Sequence, residues 1–292
     1  MSEMQGFKTK EHAARFIEKT IRDFVNASPL NLIHGTADQS IFDRPLIGYA
    51  PGDDAIFTQY KTLIGPNHLT PREALALSVS KEPEELRDTV SLISWILPIT
   101  AKTRQSNRLE TIYPSLHWVY TRWYGEQFND ALHNHVVKTL HEKGCLATAP
   151  ALQPFFKRMY NEKGAYSNFS LRHMAFAAGH GTFSLSDGFI TEKGMAMRCG
   201  AVVTDLALPV STRTATGPYS NCLAYVGLRC TACIKRCPAA AISEKGHDKV
   251  KCEAYMANQF DGMRKKLKVG ITGCGLCQTK VPCEFKNPAK SA

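Results

Sequence analysis

Cys230-Thr231-Ala232-Cys233-Ile234-Lys235-Arg236-Cys237-Pro238 is the stretch on which the reading of this chain turns. Its Cys-x2-Cys-x3-Cys-Pro spacing is the tail of a bacterial run that ligates iron–sulfur cubanes. Cys222 precedes it, and Cys252, Cys274, Cys277 and Cys283 follow. Eight of the ten cysteines therefore fall between residues 222 and 283, the number of thiolates that two [4Fe–4S] clusters need. In such runs a tight loop gathers closely spaced sulfurs around one cube. The chain then turns into a helix, and the cysteine before proline faces the other cube. One tetrahedral zinc could instead take the two Cys-x2-Cys pairs, Cys230/Cys233 and Cys274/Cys277. That alternative leaves four cysteines of the same segment without a role. The outer spacings are irregular, with Cys222 eight residues before Cys230 and Cys283 six after Cys277.

The rest of the chain is ordinary globular sequence, 43% hydrophobic and 21% charged, which excludes a disordered, collagen-like or coiled-coil architecture. At 292 residues it can bury a full core and suggests about two domains. Only Cys145 and Cys199 lie before the cysteine-rich segment; a disulfide framework would not crowd one end of a large chain in this way. MSEMQGFKTKEHAARF has no apolar h-region and no twin arginine. Val90–Thr100 is about half the length a membrane span needs, and Pro98 interrupts it. The expectation is a cytoplasmic protein without a membrane partner. Net charge is +10. Residues 216–292 hold 13 Lys and Arg against 5 Asp and Glu, so +8 of it sits in the cysteine-rich tail. This excess can offset the charge of thiolate-bound clusters. It can also dock an acidic electron donor such as a ferredoxin or flavodoxin, with Arg264-Lys265-Lys266-Leu267-Lys268 as the patch. Nucleic acid is the weaker reading, and predicts steep salt dependence of RNA affinity.

Three regions are expected. Residues 1–80 read as a helical N-terminal extension: Phe16, Ile17, Ile21 and Phe24 recur at helical spacing, and Thr70-Pro71-Arg72-Glu73 reads as a helix start. Residues 81–215 read as an α+β domain. It has a buried strand at Thr89–Leu97, helices at Glu126–His141 and Leu171–Ala178, and a strand at Gly200–Leu208 that Pro209 ends. Ser211–Pro218 is polar and turn-forming, and marks the boundary to the cysteine module, residues 216–292.

The cysteine pattern, with Gly273-Cys274-Gly275-Leu276-Cys277-Gln278, resembles the iron–sulfur module of the epoxyqueuosine reductases and their relatives, the corrinoid-dependent reductive dehalogenases. Leu171-Arg172-His173-Met174-Ala175-Phe176-Ala177-Ala178-Gly179-His180-Gly181 is similar to that family's Glu-Arg-x-x-Ala-x-x-Ala-Gly-Leu-Gly helix, and Gly200–Pro209 to the strand after it. The resemblance implies an α+β fold in which a nitroreductase-like, cobalamin-binding sheet domain is followed by a two-cluster bacterial ferredoxin-like domain. It implies that Cys222, Cys230, Cys233 and Cys283 hold one cluster, and that Cys237, Cys252, Cys274 and Cys277 hold the other. The chain departs from the family at the proton-donating Asp, where Ala165 stands, and at the Glu of the helix, where Leu171 stands. It therefore reads as a divergent relative with a different substrate.

A reductase fed by clusters needs an electron acceptor near its substrate and a proton source. The catalytic candidates are His180, Tyr166 and His173, with Asp187 and Glu192 as further proton donors. Arg172, Gly181, Ser184, Thr191 and Gln278 are the candidate contacts to cobalamin. The expected function is an oxygen-sensitive oxidoreductase whose two [4Fe–4S] clusters pass electrons to cobalamin for reduction of a small organic substrate. The alternative is a non-catalytic, ferredoxin-type electron carrier with a docking domain. The missing Asp favours the carrier. The long sheet domain favours the enzyme, because a bare carrier needs only the cysteine module.

Overall fold

The computed structural model describes residues 6–33, 35–36, 38–162, 164–270 and 273–291; the first five residues of the N-terminal stretch read above lie outside it. Helix α1 (Lys10–Ala27) begins at Thr9, whose hydroxyl accepts the backbone N–H of His12 at 3.1 Å. It buries Ala13, Ala14, Ile17, Ile21 and Val25, a stripe at helical spacing. Next come β1 (Leu46–Pro51), α2 (Ala55–Leu63), α3 (Pro71–Ser78), β2 (Ser91–Pro98), α4 (Ala101–Arg108) and the long α5 (Leu116–Glu142). The predicted capping box opens α3: Thr70 accepts the Glu73 N–H, and the Glu73 carboxylate accepts the Thr70 N–H. After β3 (Ala147–Thr148) the chain forms the hairpin β4 (Arg158–Asn161) and β5 (Gly164–Ser167) and the helix α6 (Leu171–Ala177). A second hairpin, β6 (Gly181–Phe183) and β7 (Phe189–Thr191), leads into β8 (Met197–Thr204). The cysteine-rich segment contains α7 (Ala232–Arg236), the short pair β9 (Ile242–Ser243) and β10 (Gly246–His247), and α8 (Lys249–Leu267).

The main sheet runs in the order β1-β2-β8-β3, with every neighbouring pair antiparallel. All eight residues of β2 are buried, because helices cover both faces of the sheet. Side chains alternate across a strand. Ile93, Trp95 and Leu97 join the core formed with α1 and α5, while Leu92 and Ile96 face the side of α2, α3 and α6. Trp95 fixes the centre. A Cβ on Gly200 of β8 would lie 2.1 Å from the Trp95 ring, so only glycine lets the indole cross that strand. The indole N–H donates to Asn129 Oδ1 at 2.9 Å, and Asn129 Nδ2 donates to the Cys199 carbonyl at 3.1 Å, which pins α5 to β8.

The helical reading of residues 1–80 misses β1. Leu46-Ile47-Gly48-Tyr49-Ala50 is too short to show a strand period, and pairing with β2 decides its conformation. α1 and β1 bury their apolar faces in the same core as β2 and α5. No helix among the described residues is long and apolar enough to cross a membrane.

Two anchors hold the cysteine-rich segment against α4. The Arg236 guanidinium donates to the carbonyls of Leu276, Thr279, Glu110 and Asn107 at 2.8–3.2 Å. The buried Glu284 carboxylate accepts Arg108 Nε at 2.8 and 3.0 Å and the Lys280 N–H at 2.7 Å, and pairs with Arg104 at 3.3 Å.

Candidate metal centre

Local structure explains where the thiols sit. Cys230 stands just before the short α7 and Cys233 within it. Cys237 is the helix C-cap, with extended φ and ψ of −83° and 106°, as the following Pro238 requires. Its sulfur accepts the Ala241 N–H at 3.3 Å. Cys252 lies in the first turns of α8, which Asp248 caps by accepting the Lys251 N–H at 2.9 Å. Between Cys274 and Cys277, Gly275 adopts a left-handed φ of +62° against Trp118, where a Cβ would lie 2.0 Å from the indole.

All ten cysteines are free thiols. Cys222, Cys230, Cys233 and Cys283 line one small cavity jacketed by Leu185, Ile190 and Val281. Burial pushes the Cys233 thiol up to about 11, and Cys222 and Cys230 add to the shift. Burial takes Cys283 to about 12, with Cys222, Cys233 and Cys230 adding. Two of the other four cysteines, Cys274 and Cys277, are raised in the same way. Burial lifts Cys274 to about 11 against a hydrogen bond from the Leu276 N–H, with Cys252 and Cys237 adding. Cys277 is raised well above the ordinary thiol range by burial, then by Cys274, Cys252 and Cys237, and only after these by Cys233.

Thiols that raise one another's pKa cannot all ionise unless a cationic centre lies among them. An all-sulfur donor set in an apolar jacket suits an iron–sulfur cluster. Among the described residues, no three His, Cys, Asp or Glu side chains gather closely enough to hold a single metal ion. A cubane spreads its four ligands around a cluster and needs no such convergence.

A cavity of about 500 Å³ adjoins the second quartet. Cys252, Cys274, Cys277 and Gln278 form one wall, and Tyr166, Arg172, Trp118 and Arg198 line it elsewhere. His247 also lines it, with Nδ1–H donating to Asp187 Oδ2 at 3.3 Å. Burial opposes the imidazolium, yet Asp187 and Cys252 together lift His247 to about 9. Asp187 has a left-handed φ of +57°. Burial works against its ionisation, but His247, Lys249 and Arg172 hold its carboxyl below the usual range. Burial and the neighbouring Arg122 bring Arg198 down to about 9, with Glu126 opposing.

Of the residues singled out in the sequence, Tyr166, Arg172, Asp187 and Gln278 meet at this cavity. His173 lies apart from it: Nδ1 bonds Ser170 Oγ at 2.8 Å, and the ring packs edge-on against Tyr60 and beside Phe183. Burial lowers it to about 3. His180 and Gly181 line a different cleft. His180 Nε2–H donates to the Ser94 carbonyl at 3.1 Å, and burial lowers its pKa to about 4, so the ring is neutral at pH 7. Ser184 Oγ meets Ser186 Oγ at 3.1 Å beside the first quartet. Thr191 closes a turn, with Oγ1 donating to the Gly194 carbonyl at 2.9 Å and accepting the Lys193 N–H at 3.0 Å. Glu192 is exposed beside that turn. His247, Arg198 and Trp118 were not singled out. His247 lies five residues before Cys252, and that proximity to a candidate ligand was the available signal.

No protein-family model matches the chain, and no curated protein matches it. Solved structures do. A catabolic reductive dehalogenase aligns with a TM-score of 0.52 at 14% identity, covering 98% of this chain and 39% of its own. Epoxyqueuosine reductase from Bacillus subtilis aligns at 0.49 and 16% identity, covering 94% of this chain and 66% of its own. The enzyme from Streptococcus thermophilus aligns at 0.48 and 16% identity, covering 94% and 67%. The chain thus spans about two thirds of the reductases and well under half of the dehalogenase. Its mixed helix-and-sheet fold is similar to that of the reductive dehalogenase.

Proposed function

We propose that this chain is an iron–sulfur oxidoreductase that delivers electrons to a small organic substrate. One [4Fe–4S] cluster is held by Cys222, Cys230, Cys233 and Cys283, and the other by Cys237, Cys252, Cys274 and Cys277, in a ferredoxin-like module over residues 216–292. The observation that carries this reading is one small cavity lined by Cys222, Cys230, Cys233 and Cys283 in an apolar jacket, with Cys252, Cys274 and Cys277 together on the wall of another. Cys252, Cys274 and Cys277 of the second set form one wall of the cavity of about 500 Å³, so the substrate would meet the electrons there. Tyr219, Tyr225, Val226 and Leu228 are exposed in the turns around Cys222, a surface where an external donor can approach.

The cavity wall also bears hydrogen-bonding groups suited to a corrinoid, with Arg172 and Gln278 as its contacts. When bound, such a cofactor supplies a cobalt centre able to relay electrons to the substrate. The chain's own residues supply the protons. Tyr166 and His247 are the proton-bearing side chains on the cavity wall, and Asp187 orients His247 through Nδ1. Ala165 lines the same cavity without an ionisable group, and this favours a second reading, an electron carrier with no chemistry of its own.

Cys237→Ser and Cys233→Ser test the ligand sets. Each variant should lose one cluster and keep the other, with a different reduced-state EPR signal disappearing in each. Full iron content and both signals in either variant would refute the assignment. Cobalamin binding, followed by its visible spectrum, separates the corrinoid enzyme from the carrier.

A further inference from the structure

At the C-terminal end of α6 lies a larger cleft of about 1000 Å³, which shares no residue with the cysteine cavity. Its apolar wall includes Ile56 and Phe176, and its cationic side chains are Arg22, Arg44, Lys193, Arg213 and Lys290. Two carboxylates, Asp54 and Glu192, also line it. Arg213 pairs with Asp54 at 2.8 Å, and Arg22 pairs with Glu18 at 2.9 Å. Among the described residues, no ion pair is formed by Arg44, Lys193 or Lys290. Arg22 Nε is buried without a hydrogen-bond partner. Thiolate clusters cannot account for this charge, because no cysteine lines the cleft.

Cations drawn from α1, the β7–β8 turn, the Ser211–Pro218 connection and the C-terminal residues thus converge on one concave surface with an apolar wall. Such a surface matches a ligand with one flat apolar part and one strongly anionic part. Guanidinium and ammonium groups hold phosphate by charge-assisted hydrogen bonds, and the volume falls at the upper end of small-ligand sites. We infer that this cleft binds a mononucleotide-class phosphate ester, its phosphate at Arg44, Lys193, Arg213 and Lys290 and its base against Ile56 and Phe176. This site is separate from the cluster reading.

The test is equilibrium dialysis of the anaerobically purified full chain against radiolabelled AMP, with inorganic phosphate as competitor. AMP should saturate at one per chain with a Kd below about 1 mM. The Arg44→Gln/Lys193→Gln double variant should weaken binding at least about tenfold, the loss of two charge-assisted contacts. Both residues are exposed, so iron content and thermal unfolding should match the wild type. Phosphate should compete at least about tenfold more weakly than unlabelled AMP. No saturation by about 10 mM AMP, or affinity unchanged in the double variant, would overturn the site. Phosphate competing as well as AMP would overturn the nucleotide class.

Discussion

Glu284 follows Cys283 directly, and its side chain is 1% exposed. Both carboxylate oxygens accept Arg108 Nε, at 2.8 and 3.0 Å, and the Lys280 N–H is 2.7 Å away. Arg104, whose own side chain is 13% exposed, stands 3.3 Å from the same carboxylate. Glu284→Ala would leave the Arg104 guanidinium buried without its counter-ion and free the Lys280 N–H. Breaking a buried pair on one side costs about 3–5 kcal/mol. The half-exposed Arg108 can rehydrate, so the lower half of that range, about 3 kcal/mol, is expected. Glu284→Gln keeps the shape and the Lys280 bond but loses the charge, and should cost about 1.5–3 kcal/mol. Urea unfolding under anaerobic conditions reads the loss as a lower midpoint at unchanged slope. Cys283 is covalently next to the break, so iron held by the first quartet should be released at lower urea than iron held by the second. A Glu284→Ala protein within about 1 kcal/mol of the wild type would show that this carboxylate does not anchor the cysteine module to α4.

Acid should destabilise the protein well above the carboxylate range. His68 and His133 are buried and lowered to about 4, chiefly by burial. Each binds a proton in the unfolded chain below pH 6.5 but not in the folded one until near pH 4, so stability falls with pH across that window. With His173 and His180, lowered likewise by burial to about 3 and about 4, the four should together remove about 7 kcal/mol between pH 7 and 5. Half-buried Asp130, raised to about 6 chiefly by burial, and His247, lifted against burial to about 9 by Asp187 and Cys252, each return about 1 kcal/mol; a flat urea midpoint over this range would refute the neutrality of the four histidines. Gly275→Ala forces a Cβ onto Trp118 at a left-handed φ, and should cost about 1–3 kcal/mol and deplete iron from the second quartet. Wild-type iron content and stability in that variant would mean the turn tolerates a side chain. His247→Gln should leave iron content intact but shift the midpoint potential of the cluster at Cys252, read by redox titration; an unchanged potential would remove His247 from that cluster's surroundings.

Much of this architecture was legible because local signals were strong. The largely apolar stretch Thr89–Leu97 announced a buried strand. Thr70 and Glu73 announced a capping box. β1 was not legible, since six residues beside a turn carry no clear period and only the pairing with β2 makes them a strand. The cysteine spacing pointed to eight ligands, but it was the resemblance that divided them into sets. The site residues divided by a different rule. Arg172, Tyr166 and Gln278 reach the cavity because α6, β5 and the Cys277 turn converge there, a tertiary fact without local trace. His180 and His173 looked reactive in sequence, yet their rings lie buried against the Ser94 carbonyl and Ser170 Oγ, where burial keeps them neutral. His247 carries no such local signal, because its partner Asp187 lies 60 residues away in the chain.

Iron, acid-labile sulfide, zinc and cobalt, measured per chain on protein purified without oxygen, test the central claim most directly. Two cubanes predict about eight irons and eight sulfides with negligible zinc. Zinc bound without iron would contradict the account.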